Sequence, residues 1–138
     1  MFFSLCLQML LVIMKVSFDF DGTLTKMSVQ KYAKELVERG LEVWIVTSRM
    51  GFGKEPNPTW NDDLFAVADY VGIKRENIHF CCMEDKAVFL KDKGFVFHID
   101  DDNIELSFIK TDTDVKPIYL FGNKYWRNDC EVALSNIC

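Results

Sequence analysis

Five short apolar runs separated by amphipathic stretches predict an α/β fold, a parallel sheet covered by helices on both faces. Three observations carry that prediction. Each run is rich in β-branched or aromatic residues and nearly continuous in apolar character, as strands buried on both faces are. The stretches between them place apolar residues at helical spacing. With 138 residues, 49% of them hydrophobic, and no repeat or low-complexity tract, the chain suits one domain that buries about two-thirds of its unfolded surface.

The elements follow in order. KVSFDF (15–20) reads as the first strand. Val29, Tyr32, Ala33, Leu36 and Val37 then keep helical spacing, and Gly40 closes that segment. LEVWIVT (41–47) reads as the second strand. Leu64, Phe65, Ala68 and Val71 predict a helix before Gly72, with Asn61 or Asp62 as its cap. NIHFCC (77–82), FVFHID (95–100) and PIYLF (117–121) read as strands three to five, and EDKAVFLKDKG and DNIELSFIK as the two shorter helices between them. The tail GNKYWRNDCEVALSNIC reads as a last helix or a rim element.

Composition narrows the function classes. Acidic residues outnumber basic ones 21 to 16, for a net charge of -5, so no general attraction to nucleic acid or anionic lipid is expected. The cysteines Cys6, Cys81, Cys82, Cys130 and Cys138 are odd in number and lack paired metal-ligand spacing; free thiols in a reducing cytoplasm are the expectation. FFSLCLQMLLVI (2–13) falls short of the ~20 apolar residues that a membrane span needs and lacks a basic n-region and a cleavage site. Residues 1–13 are therefore read as an apolar N-terminal extension, residues 14–138 as a single domain, and no membrane partner is expected.

FDFDGTLT (18–25) places two carboxylates, Asp19 and Asp21, one residue apart at the end of an apolar strand. Like charges there repel, and burial costs each several kcal/mol in order-of-magnitude terms unless a cation or hydrogen bonds compensate. In a parallel sheet all carboxyl ends share one edge, so Asp19, Thr47 and Asp100 should converge there, with Lys86 as the fixed cation. A cluster of hard carboxylate oxygens is a setting suited to Mg²⁺. Within DDD (100–102), Asp102 reads as the cap of the next helix. The connection MGFGKEPNPTWND (50–62) exceeds ordinary βα length and belongs to the same edge. Arg49, Lys54 and Trp60 around it suit a phosphorylated or aromatic ligand, the alternative being a solvated loop with one packed Trp.

DFDGTLT, VWIVTS, Lys86 and FHIDDD, in that order, resemble the four motifs of the haloacid dehalogenase superfamily of phosphohydrolases, over residues 15 to about 121. The resemblance implies a Rossmann-like three-layer sandwich with a five-stranded parallel sheet ordered 3-2-1-4-5. It also implies a Mg²⁺-dependent phosphomonoester hydrolase working through an aspartyl phosphate. Asp19 would be the nucleophile, Asp21 the acid/base, Thr47 the phosphate clamp with Ser48 as the neighbouring alternative, and Lys86 the screening cation. The metal would be held by Asp19, the backbone carbonyl of Asp21, Asp100 and Asp101, the last directly or through water. Lys91 and Lys93 fall late in their helix and should point elsewhere.

Only about 20 residues separate the first motif from the second strand, which leaves no room for a cap domain. The implied substrate is a phosphorylated small molecule or a macromolecular end. His98 and His79 read as core or helix-facing histidines rather than ligands, and Phe18, Phe20, Phe95 and Phe97 as core packing. Two other readings stay open, a catalytically silent binding module of the same fold and, further off, a receiver-type phosphoacceptor domain. The latter needs its phosphorylated aspartate after strand three, where this chain has CCMED.

Overall fold

The computed structural model describes residues 13–51 and 59–137. Its elements are β1 (Lys15–Phe18), α1 (Met27–Glu38), β2 (Glu42–Thr47), α2 (Asp62–Val71), β3 (Ile78–Phe80), α3 (Lys86–Leu90), β4 (Phe95–Asp100), α4 (Asn103–Asp112), β5 (Lys116–Tyr119) and α5 (Trp126–Ser135). All strand pairs are parallel, and the sheet order is β3-β2-β1-β4-β5. The fold is thus the α/β sandwich that the alternation of segments predicts, with β1 central. Among the described residues no helix is long and apolar enough to cross a membrane.

Alternation along the strands builds two cores. Val16 and Phe18 of β1, Val43 and Ile45 of β2 and Phe97 and Ile99 of β4 face α1, α2 and α5, where they pack against Tyr32, Leu36, Leu64, Ala68, Cys130 and Leu134. On the other side, Val46 and Phe95 meet Leu90 of α3 and Leu106 and Ile109 of α4. The tail is therefore a helix that covers the first face. Tyr32 donates to Glu131 Oε2 at 2.5 Å, fastening α1 to α5.

One irregularity bears on the site. Lys15 pairs with Phe95, whereas Ser17 pairs with His98, so β4 carries one extra residue between these points. That bulge sets the side chains of Ser17 and His98 against each other in the layer under α3 and α4.

Several boundaries differ from the sequence reading. β1 ends at Phe18 rather than Phe20, because the chain bends at once into a turn over Phe20–Leu24 in which Gly22 has φ +76°. β3 is confined to Ile78–Phe80, and Cys82 and Met83 follow with positive φ. β5 starts one residue early, at Lys116, and ends at Tyr119. α3 stops at Leu90, since Lys91 is already extended and Asp92 has φ +59°. Asn61 stands at the cap position of α2, yet its amide donates to the Met50 carbonyl at 2.9 Å instead of capping the helix.

Candidate active site

The two central strands end beside each other and deliver the acids. Asp19 follows β1 directly, and its backbone N–H still donates to the Ile99 carbonyl at 2.8 Å, which keeps it aligned with the end of β4. Asp100 is the last residue of β4. Lys86 opens α3 and donates from Nζ to Asp19 Oδ1 at 2.7 Å and to Asp100 Oδ2 at 2.6 Å, with all three side chains buried. The loop after β3 is what aims it. Cys81, Cys82 and Met83 donate their backbone N–H groups to the carbonyls of Thr47, Arg49 and Ser48. The loop is thereby stitched to the end of β2, and α3 starts over the acids. The Lys86 N–H itself donates to Glu105 Oε2 at 3.0 Å, tying the start of α3 to α4.

The remaining bonds divide the two aspartates. Thr23 Oγ1 donates to Asp19 Oδ2 at 3.0 Å. Asp100 accepts the Asp102 N–H at Oδ1, 3.0 Å, and contacts His98 Nε2 through Oδ2 at 2.8 Å. Burial, followed by the Asp100 charge, pushes the Asp19 carboxyl up to about 8, with Lys86 and Thr23 opposing. For Asp100 burial also acts upward, but His98 and Lys86 outweigh it and hold the carboxyl below its usual range. Burial likewise pulls Lys86 down, and the two aspartates more than reverse it, so the ammonium is retained. The buried imidazole of His98 is pushed down. Asp100 is therefore a fixed anion, and Asp19 is the carboxylate whose charge lacks a full counterpart.

Asp101 completes an acidic triad. Carboxylate oxygens of Asp19, Asp100 and Asp101 lie within 4.8 Å of one another. Its side chain lies against Gly22, where a Cβ would stand 2.1 Å from Asp101 Oδ2. Once all three acids are ionised they exceed the one ammonium by two negative charges, and the donors are all hard oxygens. That set fits a divalent cation such as Mg²⁺.

Asp21 stands apart from this triad. Its carboxylate takes both arms of Arg49, at 2.9 Å from Nε and 2.8 Å from Nη2, while Arg49 also grips Asp63 of α2 at 2.8 and 2.9 Å. The guanidinium lies over the Phe20 ring, 4.8 Å from its centroid. Asp21 and Asp63 are more than half exposed, so these pairs are wet ones. Thr47 is buried at the end of β2, and its Oγ1 accepts the Arg49 N–H at 3.2 Å. Ser48 is half-buried beside it. Of the residues expected to converge, the structure brings together Asp19, Asp100 and Lys86, joined by Asp101, while the Thr47 hydroxyl bonds the Arg49 N–H and the Asp21 carboxylate turns toward Arg49 on the rim. Lys91 is exposed and Lys93 donates to the Phe89 carbonyl, so neither reaches the acids. Lys54 lies outside the described residues, and Trp60 is exposed rather than packed. Asp102 does cap α4, accepting from the Ile104 and Glu105 N–H groups.

Sequence reasoning missed Thr23, Asp63 and Glu105. It took His98 for a core histidine, which its burial bears out, without its link to Asp100. Cys81 and Cys130 are buried free thiols and Cys82 an exposed one; Cys6 and Cys138 lie outside the described residues. The chain matches no protein-family model and no curated protein.

Proposed function

We propose that the chain is a Mg²⁺-dependent phosphomonoester hydrolase of the haloacid dehalogenase type, without a cap domain, acting in the cytoplasm through an aspartyl phosphate on Asp19. The observation that carries this reading is the placement of Asp19. It stands in contact with Lys86, in an acidic triad with surplus negative charge, at the sheet edge where α/β folds bind ligands. Asp19, Asp100, Asp101 and the backbone carbonyl of Asp21 would hold the metal, which when bound screens the repulsion between the carboxylate and a phosphate dianion.

In the first step an Asp19 oxygen bonds to phosphorus, the bond from phosphorus to the ester oxygen breaks, and protonated Asp21 gives its proton to the departing alkoxide. In the second step water attacks phosphorus, Asp21 takes a water proton, and the bond from phosphorus to Asp19 breaks, releasing phosphate and restoring both groups. Lys86 stays charged throughout and screens the equatorial oxygens. Thr47 ends β2 at the same edge and serves as the phosphate clamp, with Ser48, the next residue, as the alternative. Arg49 offers its fork to the incoming phosphate, which draws it away from Asp21 and leaves that carboxyl to serve the leaving group.

The substrate is a phosphorylated small molecule or a macromolecular end. The test is a screen of small phosphomonoesters, phosphopeptides and 3′- or 5′-phosphorylated oligonucleotides, each with Mg²⁺ and with EDTA. Release of phosphate that requires Mg²⁺ and is lost in Asp19→Asn supports the proposal. Absence of turnover across all three substrate sets, in protein shown to bind Mg²⁺, would favour the silent binding module.

A further inference from the structure

Ser17 and His98 are polar side chains at fully buried positions on the two central strands. Valine there would fill the layer under α3 and α4 with no polar cost, whereas buried hydroxyl and imidazole groups cost free energy unless hydrogen-bonded. Their bonds run in one direction. Ser17 Oγ lies 2.7 Å from His98 Nδ1, and His98 Nε2 lies 2.8 Å from Asp100 Oδ2.

The proton inventory fixes who donates. Asp100 Oδ2 already accepts the Lys86 ammonium at 2.6 Å, and an anionic oxygen offers only acceptor capacity to its next partner. The Nε2 of His98 must therefore carry the hydrogen. A neutral imidazole has only one, so Nδ1 is bare and accepts the Ser17 hydroxyl proton. The Phe97 carbonyl, at 3.5 Å from Ser17 Oγ, is the longer and weaker alternative for that proton. The β4 bulge that sets Ser17 opposite His98 makes this contact possible.

We propose that Ser17 and His98 are positioning residues. The serine locks the imidazole in its Nε2–H form, and the imidazole fixes the orientation of Asp100 so that its remaining lone pairs face Asp19 and Asp101. The inference rests on the reading of Asp100 as a metal ligand. Partners one step behind a ligand commonly tune metal affinity by about 10–100-fold.

The experiment measures Mg²⁺ binding by calorimetry, together with the melting temperature in EDTA, for the unsubstituted chain, His98→Leu, His98→Gln and Ser17→Ala. His98→Leu removes the donor and is expected to weaken Mg²⁺ by about 10–100-fold. His98→Gln, whose amide nitrogen reaches toward the place of Nε2, should recover most of that loss. Ser17→Ala removes the hydroxyl that holds the ring at Nδ1 and leaves the imidazole less firmly aimed at Asp100, so its affinity should fall between the two. A purely structural role would lower the melting temperatures in EDTA and leave all the Mg²⁺ dissociation constants alike, which overturns the proposal. If His98→Leu does not fold, Ser17→Ala decides, and an unchanged constant there overturns the relay. Absence of Mg²⁺ binding in the unsubstituted chain overturns the hydrolase reading and the inference with it; equal binding in chain and variants overturns the inference alone.

Discussion

Lys86 Nζ lies 2.7 Å from Asp19 Oδ1, although 67 positions separate the two in sequence, and the same ammonium reaches Asp100 at 2.6 Å. One buried cation therefore joins the ends of the two central strands to the start of α3. Removing one member of a buried ion pair leaves an uncompensated charge, at a cost of about 3–5 kcal/mol. Lys86→Met should destabilise the metal-free protein by that order at pH 8 and by less at pH 6, where Asp19 already holds a proton and Asp100 alone loses its counter-charge. Chemical unfolding in EDTA at the two pH values checks this, and an equal loss at both would contradict it.

Gly22 is required twice over, by its φ of +76° and by the Asp101 carboxylate that lies where a Cβ would be. Gly40 offers an internal control, since it has φ +91° and nothing within 4 Å of its Cβ position. Alanine at either position should cost about 1–2 kcal/mol through the backbone. Only Gly22→Ala should also displace Asp101 and weaken Mg²⁺, measured by calorimetry. Equal Mg²⁺ affinity in both variants would remove Asp101 from the ligand set.

The Arg49 fork holds Asp21 and Asp63 together, and lysine cannot reproduce that planar geometry. If phosphate draws the fork away from Asp21, Arg49→Lys should raise KM about tenfold, equivalent to about 1.4 kcal/mol, with kcat little altered. Steady-state kinetics separate the alternatives. A fall in kcat at unchanged KM would make Arg49 the group that orients Asp21 during turnover.

Stability should depend on pH through Asp19. Its folded carboxyl is raised to about 8 by burial and by Asp100, so the native state holds a proton that the unfolded chain releases. Its contribution is fully present below the unfolded value near 4 and is lost as pH rises through about 8. Asp100 is shifted the other way, and its contribution is lost only in acid below the unfolded carboxylate value. His98, pushed down by burial, acts oppositely to Asp19, but only below about 6.5, where an unfolded histidine takes a proton. Between pH 6.5 and 8.5 in EDTA the unsubstituted chain should therefore lose melting temperature more steeply than Asp19→Asn. Parallel curves would show that Asp19 carries no excess proton.

The sequence pattern revealed the layers more fully than the site. FVFHID forms β4 over the same six residues as read, because its apolar run is unbroken and both its faces are covered. KVSFDF ends early as a strand because the chain turns over Phe20–Leu24, where Gly22 takes φ +76°, while Asp19 keeps its N–H bond to the Ile99 carbonyl and its side chain meets Lys86, a residue far along the chain. Period-two alternation places Ser17 on the face of Asp19 and His98 on that of Asp100, so a signal for the relay is present, though a lone histidine in a strand reads first as packing. Asp63 carried no comparable signal, since its contact with Arg49 joins the first turn of α2 to the residues after β2 and follows no spacing in the sequence.

The central claim is a covalent phosphoryl group on Asp19, and acid-quenched single-turnover mass spectrometry tests it most directly. The unsubstituted chain, Asp19→Asn and Asp21→Asn would each be mixed with Mg²⁺ and an activated phosphomonoester that the enzyme turns over, then quenched and digested. One phosphoryl group should map to Asp19 in the unsubstituted chain, persist longer in Asp21→Asn because water is no longer activated, and be absent from Asp19→Asn. Turnover with no phosphorylated peptide in either Asp19-containing chain, or a phosphoryl group that maps to another residue, would contradict the account.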